Sequence, residues 1–431
     1  MKLTLDFEKL GKLVVLLATL VAFYYPIGVF FISQLSLPNT IVNVGIRLVF
    51  ALGFAILILI RIPKLKLDFK LPHYLWFILG FWVFYASRVS FDLYRGISFA
   101  VYSNWTVVGI GFGNILAPLI AVILYKKYIK AENIATFIFW ILFVANVLVL
   151  TCFLIQNNGF TPELLIRRPH IYQYNNYNIS TTQAILNPIQ IGYYGGLLAL
   201  SSLYFFWFVK KRSTIVVLFG IVLGLAMLIL GASRGPFVSF LFSLLIMLYY
   251  KLKVSKSLII QVSKILIFVF VSVFVVKNTV AKKFSIDDFS MFSRMSSFVE
   301  ERKRNKEEAR DVVFRNAWND FLDRPLAGKY FVTSVERHYP HNIIIEVFMA
   351  TGVIGAFLYF GFFIPLLYNL ARVITNAMGP KMFFMGILLM PILVGNMFSG
   401  SLFQSVDLWI VMTLFLVGCS NKIKSPAIVE G

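Results

Sequence analysis

Long apolar runs of about twenty residues, separated by short polar segments, dominate the pattern of the chain. Each run is long enough for a helix to cross the hydrocarbon core of a bilayer. Twelve runs occur, near residues 11–33, 41–60, 74–91, 106–125, 133–155, 185–208, 214–231, 236–250, 257–276, 343–369, 382–399 and 405–419. The run at 236–250 is short and follows Pro236, so counts of eleven or thirteen stay open. The pattern predicts an all-α integral membrane protein with about twelve transmembrane helices, forming a single polytopic domain over residues 1–431.

Basic residues in the short connections predict an orientation. With both termini in the cytoplasm, the short inner segments hold 20 of the 40 Lys and Arg residues, and the short outer segments hold five. Cytoplasmic loops of membrane proteins carry such an excess of cations. The run that follows Lys2–Lys12 has no obvious cleavage site and leads into further spans, which indicates a first membrane helix and not a signal peptide. We expect a multi-pass protein of the bacterial cytoplasmic (inner) membrane, with both termini cytoplasmic.

Composition narrows the class of protein. A chain with 59% hydrophobic and only 14% charged residues is not a water-soluble enzyme, a disordered chain or a coiled coil. The net charge of +21 would suit nucleic acid, an anionic lipid surface or an anionic substrate. Because half of the cations act as orientation signals, the charge total gives no reason to expect nucleic acid. Cys152 and Cys419 are expected at opposite sides of the bilayer, beyond disulfide reach.

One long polar segment, residues 277–342, interrupts the helical pattern on the predicted outer side. It holds 13 basic and ten acidic residues, and loops without structure of their own rarely exceed about 15 residues. We therefore expect a partly folded, functional extracytoplasmic loop. Apolar residues at spacings of three and four predict a helix over Val299–Leu322, with Trp318 at the membrane boundary. A turn is predicted at Arg324–Gly328, and His341 precedes the next span.

Four motifs in this order resemble the bacterial O-antigen ligase and O-antigen polymerase superfamily, over a region of about residues 185–370. They are Ser233-Arg234-Gly235, Arg310 followed by Ala317-Trp318, Pro325-Leu326-Ala327-Gly328, and His341-Asn342 followed after nine residues by Gly352-Val353-Ile354-Gly355. The family usually has Gly-x-Gly after Pro-Leu, whereas this chain has Ala327-Gly328-Lys329. The two glycines Gly352 and Gly355 are interpreted as small residues that let membrane helices approach closely.

The resemblance implies a GT-C-like membrane glycosyltransferase that moves a glycan from an undecaprenyl diphosphate carrier to a sugar hydroxyl outside the membrane. Arg is suited to gripping phosphate oxygens, which assigns Arg234 and Arg310 to the diphosphate, unless they only flank a span and a charged run. His341 is expected to take the proton of the acceptor hydroxyl, although a helix cap is the alternative. Asn342 either orients His341 or caps the helix. Further substrate contacts are expected from Ser233, Arg324 and Arg168.

No cofactor or metal is expected. His338 and His341 would be half of a metal site, but no third His or Cys is nearby in the sequence. Glu346 lies five residues after His341, about 140° round a helix, and so does not form a same-face pair with it.

Three functions stay open. We favour a surface-polysaccharide polymerase, which would extend a lipid-linked repeat, over a ligase, which would use a lipopolysaccharide-core acceptor. A polysaccharide transporter or flippase is the alternative from another class, but the long loop lies three spans from the C-terminus without a counterpart in the first half. The expected partners are the lipid-linked donor, a glycan or core acceptor, membrane lipid, and a flippase or chain-length regulator.

Overall fold

The computed structural model describes residues 6–35, 37–65, 71–100, 103–159, 171–172, 184–209, 213–254, 309–375 and 378–422. The α-helices in these ranges are, in chain order, α1 (Phe7–Phe23), α2 (Tyr25–Gln34), α3 (Asn39–Arg61), α4 (His73–Tyr94), α5 (Asn104–Val108), α6 (Ala117–Leu124), α7 (Ala131–Gln156), α8 (Pro188–Phe208), α9 (Thr214–Leu230), α10 (Arg234–Val254), α11 (Ala309–Asp323), α12 (Ile343–Ile374), α13 (Pro380–Ser399) and α14 (Val406–Lys422). A π-helix (Gly109–Leu116) joins α5 to α6, and short 3-10 turns cover Ile62–Lys64 and Lys126–Tyr128.

Most of the predicted spans coincide with one of these helices. In the described ranges, eight helical segments are long and apolar enough to cross a membrane, and α1 with α2 makes a ninth if that bent pair is one span. Two more helices, α9 and α14, are apolar but shorter. The span predicted at 236–250 is not short, because α10 begins at Arg234 and its 21 residues are long enough to cross a membrane. The predicted span 257–276 lies outside the described residues, so an all-α membrane protein is confirmed but twelve spans stay a prediction.

The chain forms two compact units, and each is described by itself. The first consists of residues 1–25, 38–141 and 307–431, and the second of residues 26–37 and 142–306. The chain passes from the first to the second within α7.

Aromatic side chains fill the core of the first unit. Phe81 and Trp82 of α4 pack against Trp409 of α14, with ring centroids 5.6 and 4.9 Å apart. Tyr359 of α12 completes the cluster, 5.5 Å from Phe81, and all four residues are at most 1% exposed. Burial of such large side chains dominates core energetics, so α4, α12 and α14 form the stable core of this unit.

The second unit contains α8 to α10 and a small hairpin. Strands β1 (Ile171–Tyr172) and β2 (Ala184–Leu186) pair antiparallel. The predicted span 185–208 therefore begins too early, since α8 begins at Pro188. Asn187 caps it in a reciprocal pair with Gln190, whose side chain accepts the Asn187 N–H.

The described part of the long loop starts with α11, which begins at Ala309. The remainder of the predicted helix, residues 299–308, lies outside the described residues, and α11 ends one residue after the predicted Leu322. The predicted turn follows at once, where the Gly328 N–H donates to the Arg324 carbonyl over 3.0 Å. An irregular segment then leads from Lys329 to His341, directly before α12.

Candidate active site

His341 stands at the junction between the long loop and α12. Its backbone φ is +57°, a left-handed conformation that His adopts more readily than most residues but that is uncommon outside glycine. The side chain is half-buried. The sequence prediction that His341 sits at a helix entrance is confirmed.

The imidazole of His341 lies among other rings. Its centroid is 5.1 Å from His338, in a stacked arrangement, and 4.6 Å from Tyr339. Phe99, from the segment after α4, touches both His338 and Tyr339, and Phe403, from the connection between α13 and α14, touches Tyr339 and Phe99. Three separate stretches of chain thus build one aromatic wall around His341.

This environment favours the neutral imidazole. Burial, then the neighbouring His338, then the charge of Arg310 lower the pKa of His341 to about 4. Near pH 7 the ring is therefore uncharged and has a nitrogen lone pair that can accept a proton. A ring in this state can act as a base without first losing a proton.

Arg310 belongs to the first turn of α11, and its exposed guanidinium lies close enough to His341 for its charge to act on the ring. The two residues are 31 positions apart in the sequence. The structure thus brings together two of the three residues that the sequence assigns to catalysis. A cation whose charge reaches a neutral base can favour an anionic group near that base.

Asn342 is the cap of α12. Its Oδ1 accepts the N–H groups of Ile344 and Ile345 at 3.0 and 3.1 Å, and its Nδ2 donates to the carbonyl of Met397 in α13 at 2.9 Å. All of these contacts are made with backbone. Of the two roles left open for Asn342, the capping role is the one that the geometry supports.

A break in α12 explains the first glycine of the motif that follows Asn342. Gly352 has φ +61° and ψ −160°, so the helix is interrupted there. The freed N–H groups of Val353 and Ile354 donate to the carbonyls of Pro325 and Leu326, at 2.8 and 3.1 Å. The predicted turn of the long loop is therefore docked into the break in the helix.

We call this contact between the turn and the break in α12 the junction. Gly328, in the turn, also contributes to it and has φ +76°. Its neighbour Lys329 donates its N–H to the Met349 carbonyl at 3.0 Å, and a Cβ at Gly328 would overlap the backbone of Ala350. The interpretation of Gly352 as a contact between membrane helices is therefore wrong, because Gly352 permits a positive φ and a close approach of the loop.

Glu346 makes its hydrogen bonds with residues of α4 and of the connection between α13 and α14. It is fully buried, and its carboxylate accepts the Leu402 N–H at 3.0 Å, the Ser401 hydroxyl at 3.3 Å and the Tyr85 hydroxyl at 3.4 Å. Glu346 thus ties α12 to α4 and to the segment that carries Phe403.

The sequence motifs did not predict the ion pair between Arg88 and Asp92. The Nε of Arg88 lies 3.1 Å from Asp92 Oδ2, one turn along α4, and the same oxygen accepts the N–H of Phe331 at 2.9 Å. Asp92 is fully buried. The sequence could have predicted this pair, because a basic and an acidic residue stand four positions apart near the end of an apolar helix. Arg324 lies close enough to Arg88 for the two charges to interact.

The remaining predicted residues lie elsewhere in the chain. Arg234 begins α10 in the second unit, directly after a tight turn in which Ala232 has φ +42° and Ser233 is buried. Arg168 lies outside the described residues. The roles predicted for these three residues and for Arg324 stay predictions. In the part of the chain that the structure describes, no three His, Cys, Asp or Glu side chains form a group that could hold a metal.

Residues 219–360 match the family model described as O-antigen ligase. This range contains all four motifs, the described helix α11, the turn and the break at Gly352. A search of curated proteins found no match. This region of the chain is therefore similar to the O-antigen ligase family.

Proposed function

We propose that the protein is a membrane glycosyltransferase that moves a glycan from an undecaprenyl diphosphate carrier to a sugar hydroxyl on the outer side of the cytoplasmic membrane. The observation that carries this proposal is the half-buried, uncharged ring of His341 at the N-terminal end of the membrane helix α12, within reach of the charge of Arg310. The family match supports a transferase of the O-antigen ligase or polymerase type.

The transfer needs one proton acceptor and one cation. The acceptor hydroxyl oxygen attacks the anomeric carbon of the donor sugar and gives its proton to His341. As the new C–O bond forms, the bond between the anomeric carbon and the diphosphate oxygen breaks, and its electron pair leaves with the diphosphate. Arg310 stabilises the negative charge that develops on that oxygen. The glycan lipid itself supplies the energy of the reaction.

The sugar rings would lie against the aromatic wall. Tyr339 is half-buried, and its ring contacts that of His341. Arg324 is exposed at the end of α11 and is a second candidate for phosphate or sugar oxygens. For Arg234 we retain the role that the family resemblance implies, which is binding of the diphosphate. A separate Arg234 variant is needed to test it.

Two acceptors are compatible with this chemistry. We favour a second lipid-linked repeat, which makes the protein a polymerase. The alternative is a ligase that attaches polymer to lipopolysaccharide core, and the family match does not distinguish the two. Polysaccharide profiles of a deletion strain separate them. A polymerase mutant keeps single repeats and loses long chains, whereas a ligase mutant accumulates polymer on its carrier.

Transfer from a purified lipid-diphosphate glycan tests the enzyme itself. We expect the variant His341→Asn to lose on the order of 10²–10⁴-fold in kcat, because Asn tolerates the left-handed backbone but is not a base. Arg310→Ala is expected to lose on the order of 10²–10³-fold. Matched controls are His73→Asn, at the exposed start of α4, and Arg315→Ala, exposed on α11, both with wild-type rates. Wild-type transfer by both His341→Asn and Arg310→Ala would refute the proposal.

A further inference from the structure

A buried carboxylate joins the helix that carries Arg310 to the loop that carries His341. Asp320, on α11, is only 2% exposed. Its Oδ1 accepts the Ser334 hydroxyl at 2.6 Å and the Lys329 ammonium at 2.8 Å, and its Oδ2 accepts the Ser334 N–H at 2.7 Å. Three charge-assisted hydrogen bonds from two loop residues thus converge on one side chain.

A second contact lies one turn earlier on the same face of α11. The Asn316 amide donates to the carboxylate of Glu336, in the same loop. Residues four apart in a helix project from one face, so Asn316 and Asp320 hold the loop along a single edge. A second carboxylate on α11, that of Asp323, is 61% exposed and lies 2.9 Å from the Lys329 ammonium.

Backbone hydrogen bonds link the two ends of the segment Thr333–His338. The Arg337 N–H donates to the Thr333 carbonyl at 3.1 Å, and the Thr333 N–H donates to the His338 carbonyl at 2.9 Å. Fixing Ser334 therefore also fixes His338, whose ring stacks on His341. On the other side of the contact, Arg310 and Asp320 belong to one continuous helix.

We propose that Asp320 is a positioning residue, which clamps the His341 loop to α11 and so sets the position of Arg310 relative to His341. The inference rests on the proposed function for its catalytic consequence, but the clamp itself can be measured without any transfer reaction. Lys329 stands where the family usually has the second glycine, and this departure supplies one of the clamp's three bonds.

The catalytic test compares the variant Asp320→Asn with Asp323→Asn in the full-length protein. Asp320→Asn removes the charge that holds Lys329 and Ser334, and misplacement of a catalytic group by about 1 Å can cost on the order of 10²-fold. We expect a loss of that order in kcat for Asp320→Asn. Asp323→Asn, which loses one exposed contact, should transfer at the wild-type rate.

The independent test is the pH dependence of His341 modification by diethyl pyrocarbonate, read by mass spectrometry, because the reagent attacks only the uncharged ring. The charged and titratable groups that act on His341 are His338, in its own loop, and Arg310, on α11. In the wild type, the half-maximal rate should lie near pH 4. Asp320→Asn should move this midpoint upward, because Arg310 is no longer held beside the ring. The reagent that remains at each pH, measured by its reaction with free imidazole at a fixed pH, corrects for loss of the reagent.

The outcomes separate the clamp from the function. A raised midpoint in Asp320→Asn with an unchanged Asp323→Asn supports the clamp, even if His341→Asn keeps full transfer and the proposed function fails. An unchanged midpoint in folded Asp320→Asn overturns the clamp. If Asp320→Asn does not fold, Asn316→Ala removes the second contact, and it should raise the midpoint by a smaller amount. An unchanged midpoint in that variant overturns the clamp equally.

Discussion

His341 combines an uncommon backbone conformation with an uncharged ring. The left-handed φ of +57° costs roughly 1–2 kcal/mol for a residue with a side chain, and surrounding contacts must hold it. Those contacts are the Asn342 cap immediately after it, the stacked ring of His338 and the edge-on ring of Tyr339. Strain at a residue with a perturbed pKa is typical of functional sites.

The low pKa of His341 predicts the pH profile of transfer. Protonation removes the base, so activity is lost as the pH falls through the pKa of His341. In the free enzyme this pKa is about 4, so kcat/KM should hold constant from neutral pH down to about pH 5. Bound diphosphate brings negative charge that favours the imidazolium, so the acid limb of kcat should lie at higher pH than that of kcat/KM. Initial rates across pH 3.5–8, at low and saturating donor concentrations, measure both limbs. Acid limbs of kcat and kcat/KM that coincide near the ordinary His value of about 6.5 would contradict this prediction.

At the scale of elements, the long loop is attached to a membrane helix through a break in that helix. Two N–H groups exposed by the break at Gly352 are satisfied by carbonyls of the turn at Pro325 and Leu326. An unpaired backbone group in an apolar surrounding costs several kcal/mol. The break in α12 is therefore stable only when the carbonyls of the turn accept its N–H groups. The junction joins the turn that follows α11 to the break within α12, and so supports both the helix of Arg310 and the helix that follows His341.

Gly352→Ala should weaken this junction. The new methyl group would meet the backbone of Leu326 and Pro325 at about 2.5 Å, and a positive φ disfavours Ala. We expect the free energy of unfolding to fall by about 1–3 kcal/mol, measured by thermal unfolding in detergent with tryptophan fluorescence. Gly45→Ala on α3 is the control, since a Cβ there meets no atom within 4 Å and Ala favours helix. Equal unfolding temperatures for wild type and Gly352→Ala would show that the junction carries no stability.

The sequence predicted helices better than it predicted their interruptions. Apolar runs located α3, α4, α7, α12 and α13 to within a few residues, because each crosses a bilayer-sized length. Hydropathy carries no signal for the break at Gly352, since the residues on both sides are equally apolar. The capping role of Asn342 was among the predicted alternatives, but its bond to Met397 depends on a residue 55 positions away.

The same limit applies to the candidate site. The order of the motifs predicted His341 and Arg310 as site residues, since each belongs to a pattern with fixed spacing. The stacking of His338 on His341 and the clamp at Asp320 depend on how the loop folds back on α11, which periodicity does not encode. Arg88 and Asp92 form a recognisable local pair, but their bond to Phe331 is a tertiary contact.

At the scale of the whole molecule, the positions of the cations link the fold to the proposed reaction. Half of the 40 basic residues lie in short segments of the predicted inner side, whereas Arg310 and Arg324 lie in the long loop of the predicted outer side. The lipid-linked donor and the acceptor are expected on that outer side. The proposed function therefore requires that the loop containing His341 and the connection containing Lys127 lie on opposite sides of the membrane.

Cysteine labelling in spheroplasts tests this requirement. Both native cysteines are fully buried, so their background with a membrane-impermeant maleimide should be low. Val335→Cys, at a site 71% exposed in the long loop, should react in intact spheroplasts. Lys127→Cys, at an exposed position on the predicted inner side, should react only after lysis. The reverse pattern would place His341 in the cytoplasm, where an outer-side acceptor cannot reach it, and the proposed transfer would then have to be abandoned.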